Sequence, residues 1–488
     1  MSSEPLRKQE EDLTPQCDEI IPAAESLASS GKTQEGLDKL LVLEKQARNA
    51  SDLSSTSRVL ISIISILYHP ATRDLAKLNE HLVSLSKKHG QLRQATVKMV
   101  EKAMEFMNEL EQGSKDKEDL IATLRDITEG KIYLEVQRAR ITRQLSQIRE
   151  AEGSVQQASE LMQELQVETF GSMERREKVD FILEQMRLLK LQEDWEKLAI
   201  VAKRINLRWL TDKENEDLKL RYYSLMILHG LQKDAYLEVC KYYRAVYDSP
   251  SINDSASASA TSPPSSSSPN AATPTSNETA NAILRNIVFF VILAPYDNEQ
   301  SDLLNRVYRD ERLKEMKECY DLVKCFIDPE LRRWPNIEEL YGDALRKTKV
   351  FGPKGTSGVD GDIEEDAKHA KGDERWKVLH DRIVEHNIRV VATYYTRITL
   401  ARLSAFLNLG VPETEKFLAH LVTSKTVWAK IDRPAGVVNF VKPKKGDEVL
   451  NEWSSDVGKL MGLIEKSCHL IAKENAVNAA LKAQQAKA

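Results

Sequence analysis

The chain has 488 residues, 41% hydrophobic and 30% charged, with 70 basic against 75 acidic side chains and a formal charge of −5. This is the composition of a globular protein of two to four domains at about 100–200 residues each, and it excludes a collagen-like or wholly disordered chain. It also gives no basic surplus that would point to nucleic acid.

The longest uncharged, largely apolar runs, Val59–Tyr68 and Ile287–Ala294, fall far short of the ~20 residues of a membrane helix. Residues 1–16, MSSEPLRKQEEDLTPQ, lack the apolar stretch of a secretory signal. Cys17, Cys240, Cys319, Cys325 and Cys468 form no C-x-x-C pair. Cys319 and Cys325 would sit about 240° apart around a helix, so buried thiols are expected rather than a bridge. The sequons at Asn49, Asn253 and Asn277 are then expected to stay unmodified, in a reducing cytoplasm or nucleus.

Residues 1–15 are polar and expected to be disordered. From 16 to 248 the pattern is helical. No proline lies between Pro70 and Pro250, and the glycines there are Gly90, Gly113, Gly130, Gly153, Gly171 and Gly230. A strand-rich domain of that size needs many more turn residues. Apolar positions recur at helical spacing in Leu37, Leu40, Leu41; Val59, Leu60, Ile63, Ile64, Leu67; and Leu75, Leu78, Leu82, Leu85. Phe181, Ile182, Met186 and Leu189 continue the pattern with one polar break, Gln185. Turn-type residues at Gly31, Asp74, Gly113, Gly153, Asp194 and Asp234 open new helices at intervals of about 40 residues, within the period of helix-hairpin repeats. A tetratricopeptide-like or HEAT-like solenoid is expected, with a generic helical bundle as the alternative. The tetratricopeptide signature itself is missing.

Residues 249–281 are rich in Ser, Ala, Pro and Thr and cannot bury enough surface to order themselves. Residues 282–349 resume helical periodicity, interrupted near Pro329 and Pro335, and residues 350–372 are a glycine-rich, acidic loop expected to be flexible.

From 373 to 445 the texture changes. Arg375–Tyr395 predicts a long helix and Ile398–Leu407 a short one, with Asn408-Leu409-Gly410 as its stop and Gly410 in the C-cap role. Val411-Pro412 restarts a helix carrying Phe417, Leu418, Leu421 and Val422. Thr426–Asp432 alternates as a strand, Arg433–Gly436 turns, and Val437, Val438, Asn439, Phe440 and Val441 return. This is a winged-helix plan. A DNA reader would present Arg, Lys, Asn or Gln at the start of its second helix. Here Glu413 and Glu415 stand there, which disfavours phosphate, although Lys430, Arg433, Lys442, Lys444 and Lys445 make a modest patch on the wing. Protein recognition is the better reading, with Val437–Val441 as an exposed edge strand open to pairing.

From 446 to 488 a last helix carries Trp453, Val457, Leu460, Ile464, Ser467, Ile471 and Glu474 at alternating spacings of four and three, a heptad seam apolar in all but two places. A small module cannot cover a helix of ~60 Å, so an outside partner is expected.

Catalytic chemistry has no candidate. Gly31-Lys32-Thr33 ends like a P-loop, but Ser26 stands where the motif needs glycine. Neither H-E-x-x-H nor G-x-S-x-G occurs, and Glu385-His386 is expected to be structural. No catalytic, cofactor-binding or metal-binding residue is assigned, and no cofactor is expected.

Helical repeats, a winged helix and a long terminal helix in this order resemble PCI proteins, the family that supplies scaffold subunits of the proteasome lid, the COP9 signalosome and a translation-initiation complex. The blocks TEGKIYLEVQRARITR (128–143), LMQELQVETFGSMERREKVDFILEQMRLL (161–189), VILAPYDNEQSDLLN (291–305), VEHNIRVVATYYTRITLA (384–401) and AKIDRPAGVVNFV (429–441) are similar to its proteasome-lid branch. The segments 249–281 and 350–372 depart from that pattern. The resemblance implies a non-catalytic hetero-oligomeric scaffold in cytoplasm and nucleus, supporting ubiquitin-dependent proteolysis. Its partners would be other PCI subunits, the deubiquitinase subunit pair, the ATPase ring and the core particle, with no small-molecule substrate, nucleic acid or membrane. A COP9 signalosome subunit is the alternative within the class, and a winged-helix nucleic-acid binder the alternative outside it.

Overall fold

A computed structural model describes residues 13–30, 32–69, 74–110, 114–249, 276–352, 371–442 and 445–485. The chain divides into two compact units, Met1–Ser262 and Pro263–Ala488.

The first unit is all helix among its described residues: α1 (Thr14–Ser29), α2 (Thr33–Asn49), α3 (Leu53–Tyr68), α4 (Leu75–Lys87), α5 (Arg93–Glu109), α6 (Lys115–Thr128), α7 (Glu135–Ala151), α8 (Val155–Gln163), α9 (Arg175–Leu191), α10 (Trp195–Ala202), the single turn α11 (Leu207–Leu210), α12 (Glu216–Gln232) and α13 (Tyr236–Tyr247). The turns follow local chemistry. Asp74 and Asp194 cap α4 and α10, their carboxylates accepting from the backbone N–H of Lys77 and Lys197. Gly153 (φ 84°) and Asp234 (φ 56°) take the left-handed conformation that closes the α7–α8 and α12–α13 hairpins.

Helix α9 shows why the hairpins stack. Phe181 and Leu188 join a core with Ala139, Ala158 and Met162 of the preceding hairpin. Ile182, Met186 and Leu189 join another with Leu198, Leu218 and Tyr222 of the following helices. A helix apolar on two faces cannot be satisfied by one neighbour, so each hairpin requires the next. The polar break Gln185 is buried and donates from Nε2 to the carbonyls of Met162 (2.7 Å) and Leu165 (3.2 Å), closing the open end of α8.

The second unit contains α14 (Ser276–Leu293), α15 (Asn298–Tyr308), α16 (Lys317–Ile327), α17 (Trp334–Arg346), α18 (Gly372–Tyr394), β1 (Arg397–Thr399), α19 (Leu400–Leu407), α20 (Val411–Thr423), β2 (Lys430–Asp432), β3 (Val437–Asn439) and α21 (Gly446–Gln485). Helix α14 packs against α15, α16 and α18. The winged helix closes over Val384, Ile388, Leu403, Leu418, Leu421 and Val438. Its sheet runs β1-β3-β2, antiparallel throughout, with Val438 opposite both Ile398 and Ile431.

Several boundaries differ from those expected. Helix α1 begins at Thr14 because Leu13 packs on Ala47 and Ala50, with its N–H donated to the Asp52 carboxylate. Helix α14 begins at Ser276, inside the segment 249–281. Val350 and Phe351, at the start of the segment 350–372, are core residues, and Phe351 meets Phe289 edge-on at 5.3 Å. Most of 1–15, 249–281 and 350–372, and also Gly31, Gly113 and Asn253, lie outside the described residues. Asn408, not Gly410, takes the left-handed C-cap of α19 (φ 55°), and Gly410 is the N-cap of α20. Pro335 starts α17 rather than breaking a helix.

Candidate protein-interaction surfaces

The wing differs from its reading in one consequential way. Arg397–Thr399, expected as the approach to and first residues of a helix, is a strand. Ile398 points into the core, and Thr399 then caps α19 through its hydroxyl. Strand β3 therefore lies between β1 and β2, and Val437, Val438 and Asn439 are paired on both sides. Val438 is fully buried and Phe440 nearly so; Val441 alone of the five wing residues is an exposed apolar side chain. The edge-strand reading of Val437–Val441 is thus corrected: the outer edges are β1 and β2. Thr426–Ala429, expected as strand, precedes β2 as irregular chain. The register aligns Arg397, Asn439 and Lys430 in one row across the sheet and Thr399, Val437 and Asp432 in another, with the Ile398, Val438 and Ile431 row between them.

The wing's charges are partly spent internally. The Arg433 guanidinium bonds Glu415 of α20 at 2.6–2.7 Å, so the leading end of the second helix and the wing neutralise one another. Glu385 on α18 is buried; Arg382 donates to it at 2.6 Å, and His420 Nδ1 lies 3.9 Å away. His386 beside it is buried against Phe326, and burial pushes its imidazole down to about 4, so it is neutral near pH 7.

Helix α21 spans 40 residues, and each of its described side chains is exposed. Along the seam, Trp453 is 67% exposed and Ile471 61%, with Val457, Leu460 and Ile464 between them also open. Leu450 and Leu481 fall on the four-and-three spacing at its two ends, and Met461, Leu463 and Val477 lie beside it, all exposed. Seven or more large apolar side chains on one element far exceed the single exposed hydrophobics that any protein carries. Periodicity revealed the seam, but not its exposure, since core and interface helices share one pattern. Leu340 on α17 (74%) and Ile132 (79%) are also exposed, and nothing in their spacing sets them apart from core residues.

Thiol chemistry is muted. Burial pushes Cys240 up to about 12 and Cys319 up to about 11, while Cys325 is half-buried and Cys468 exposed on α21. Among the described residues no group of three or more His, Cys, Asp or Glu side chains could hold a metal ion, and no helix is long and apolar enough to cross a membrane.

Comparison with known proteins matches these parts one by one. The model "PSMD12/CSN4, N-terminal" covers residues 35–255, the PCI domain model 360–442, and the "26S proteasome regulatory subunit RPN5 C-terminal domain" model 447–479, which falls within α21. The chain is 44% identical over 442 residues to the 26S proteasome regulatory subunit rpn501 of Schizosaccharomyces pombe, covering 91% of each chain. It is 38% identical to the 26S proteasome non-ATPase regulatory subunit 12 of Dictyostelium discoideum, over 97% of each. Against the 26S proteasome regulatory subunit RPN5 of Saccharomyces cerevisiae identity is 37%, over 97% of this chain and 98% of the other.

Proposed function

The chain belongs to the family of 26S proteasome non-ATPase regulatory subunit 12, also called RPN5, and from that premise we propose that it is a non-catalytic scaffold subunit of the lid of the proteasome regulatory particle, supporting ubiquitin-dependent degradation. The observation that carries this reading is α21: a 40-residue helix with an uncovered apolar seam is a component of something larger. Its seam joins a helical bundle with other lid subunits, and the outer edges of β1 and β2 are where neighbouring PCI subunits pair with the winged helix. The helical repeats of the first unit then reach the deubiquitinase subunit pair, the ATPase ring and the core particle, in cytoplasm and nucleus.

The alternatives are weaker. The N-terminal match carries a shared proteasome and signalosome description, but the match on α21 is to the RPN5 C-terminal domain alone, which favours the proteasome. Nucleic-acid recognition is disfavoured by Glu413 and Glu415 at the start of α20 and by the internal Arg433–Glu415 pair. Native mass spectrometry of complexes purified through an epitope-tagged chain tests the proposal. The expected result is recovery with proteasome regulatory-particle subunits; recovery with signalosome subunits, or with nucleic acid and no protein partner, overturns it. Fluorescence of the tagged chain in both cytoplasm and nucleus is the expected distribution.

A further inference from the structure

Within the second unit a cavity of about 550 Å³ lies between α15, the end of α16, α18 and the chain leading into β2. Its volume is within the ~300–1,000 Å³ of ligand sites. Arg389 supplies its one fixed positive charge, and no carboxylate is among its lining residues. The guanidinium stacks over the Tyr296 ring, 3.9 Å from the centroid. Glu385, one helical turn earlier, is the obvious partner for Arg389, but it is engaged by Arg382 at 2.6 Å. No side chain among the described residues bonds the Arg389 N–H groups. A second group in the same lining is also unanswered: His386, 6% exposed, has no hydrogen-bond partner for Nε2. A buried ring nitrogen without a partner is uncommon in folded proteins, and Arg389, which is half-buried, keeps N–H groups that no side chain engages and that an incoming anion can take.

We propose that this cavity binds a carboxylate presented by a peptide, from an acidic side chain or from a chain terminus, with Arg389 as its bidentate partner. Tyr296 covers a face of the guanidinium and leaves its edge N–H groups, which match the two coplanar oxygens of a carboxylate. A phosphate dianion would call for further cations or a helix N-terminus, and the lining offers no second cation. Phe326, Trp428 and Phe440 form apolar walls for the neighbouring residue of the peptide, and Ser301, Asn305 and Thr393 offer bonds to its backbone. The inference stands apart from the scaffold reading, because it concerns binding by the isolated full chain and holds whatever larger complex the chain joins.

The test is a calorimetric titration of the full-length chain with four probes: an acetylated, amidated tripeptide with central glutamate; its glutamine counterpart; an acetylated tripeptide of leucine with a free terminal carboxylate; and inorganic phosphate. At least one carboxylate peptide is expected to bind about tenfold more tightly than the glutamine control, as for a charge-assisted pair, and which one does so identifies the source. Arg389→Met is expected to abolish the preference with the melting temperature retained, and Arg389→Lys to weaken it about threefold by losing the bidentate geometry. Equal binding of all three peptides, unchanged binding by a folded Arg389→Met, or phosphate binding more tightly than either carboxylate overturns the proposal. If Arg389→Met does not fold, Arg389→Lys decides: unchanged carboxylate binding by that variant overturns it.

Discussion

Glu44 is a fully buried carboxylate on α2, held by Arg48 at 3.1 Å from its own helix and by Lys88 at 2.9 Å from the end of α4. Replacing it by glutamine leaves both cations without an anion. Breaking a fully buried pair costs about 3–5 kcal/mol, but Arg48 and Lys88 keep 15% and 27% exposure and regain water. The expected loss for Glu44→Gln is therefore about 2 kcal/mol, read as a lower urea midpoint. His386 makes a pH prediction. Its folded pKa, about 4, lies below the ordinary 6.5, so between those values the unfolded chain binds a proton that the folded chain does not. Stability from this group is complete above pH 6.5, falls as pH drops toward 4, and amounts to about 2 kcal/mol between pH 7 and pH 5. His386→Phe, which preserves the edge contact with Phe326, is expected to lose less stability over that interval; equal losses would show that the imidazole is not the sensor. At this scale the sequence was partly legible. The capping aspartates and the buried thiol at Cys319 follow from local rules, although Cys325, expected to be buried as well, is only half-buried, whereas the burial of Glu44 depends on a lysine 44 residues away.

At the scale of the element, the central position of β3 changes what a substitution there does. Proline at Val438 removes an N–H from a strand paired on both sides and distorts a residue with no exposure. Val438→Pro is expected to unfold the winged helix, seen as fast hydrogen exchange across residues 384–440 while the first unit stays protected. Protected exchange there, with only partner binding lost, would restore the edge-strand reading. Strand β1 was illegible because three residues with one inward side chain give no alternation to detect, and Ile398 fits a helical face equally well. The helix α21 was legible in extent and seam because 3.5-residue spacing persists over many turns. Cutting the chain after Lys445 is expected to leave the melting temperature unchanged, since α21 covers no core, and to abolish incorporation into the lid. A truncated chain that still incorporates would move assembly to other surfaces.

At the scale of the whole molecule, successive hairpins of the first unit begin at Glu135, Arg175 and Glu216, and ion pairs join them at one repeat's distance. Arg140–Glu177, Arg143–Asp180, Glu150–Arg187, Arg176–Asp217 and Arg221–Asp180 form such rungs, at 2.5–2.8 Å. These groups are roughly a quarter to three-fifths exposed; each pair contributes only about 0.2–1 kcal/mol, and their role is to fix register between helices. The apolar faces carry the stability. Truncating the first unit after Ala202 exposes Met186 and Leu198 by removing Leu218 and Tyr222. The fragment 13–202 is expected to melt lower and more broadly than 13–249, because the last hairpin loses its neighbour. Equal melting would mean that the units do not depend on stacking. The repeat period was visible in turn residues alone; the two-sided nature of α9 was not, since periodicity marks apolar faces without saying which neighbour each one meets.

The open seam of α21 also governs the fate of surplus copies. A chain made without its partners carries a long apolar stripe into water, and the concentration at which it stays dispersed is limited by the stripe's tendency to meet another like it. In the proposed assembly the stripe is covered and that ceiling is removed, so on that reading the supply of usable subunit follows the supply of its neighbours, a form of stoichiometric control written into one helix.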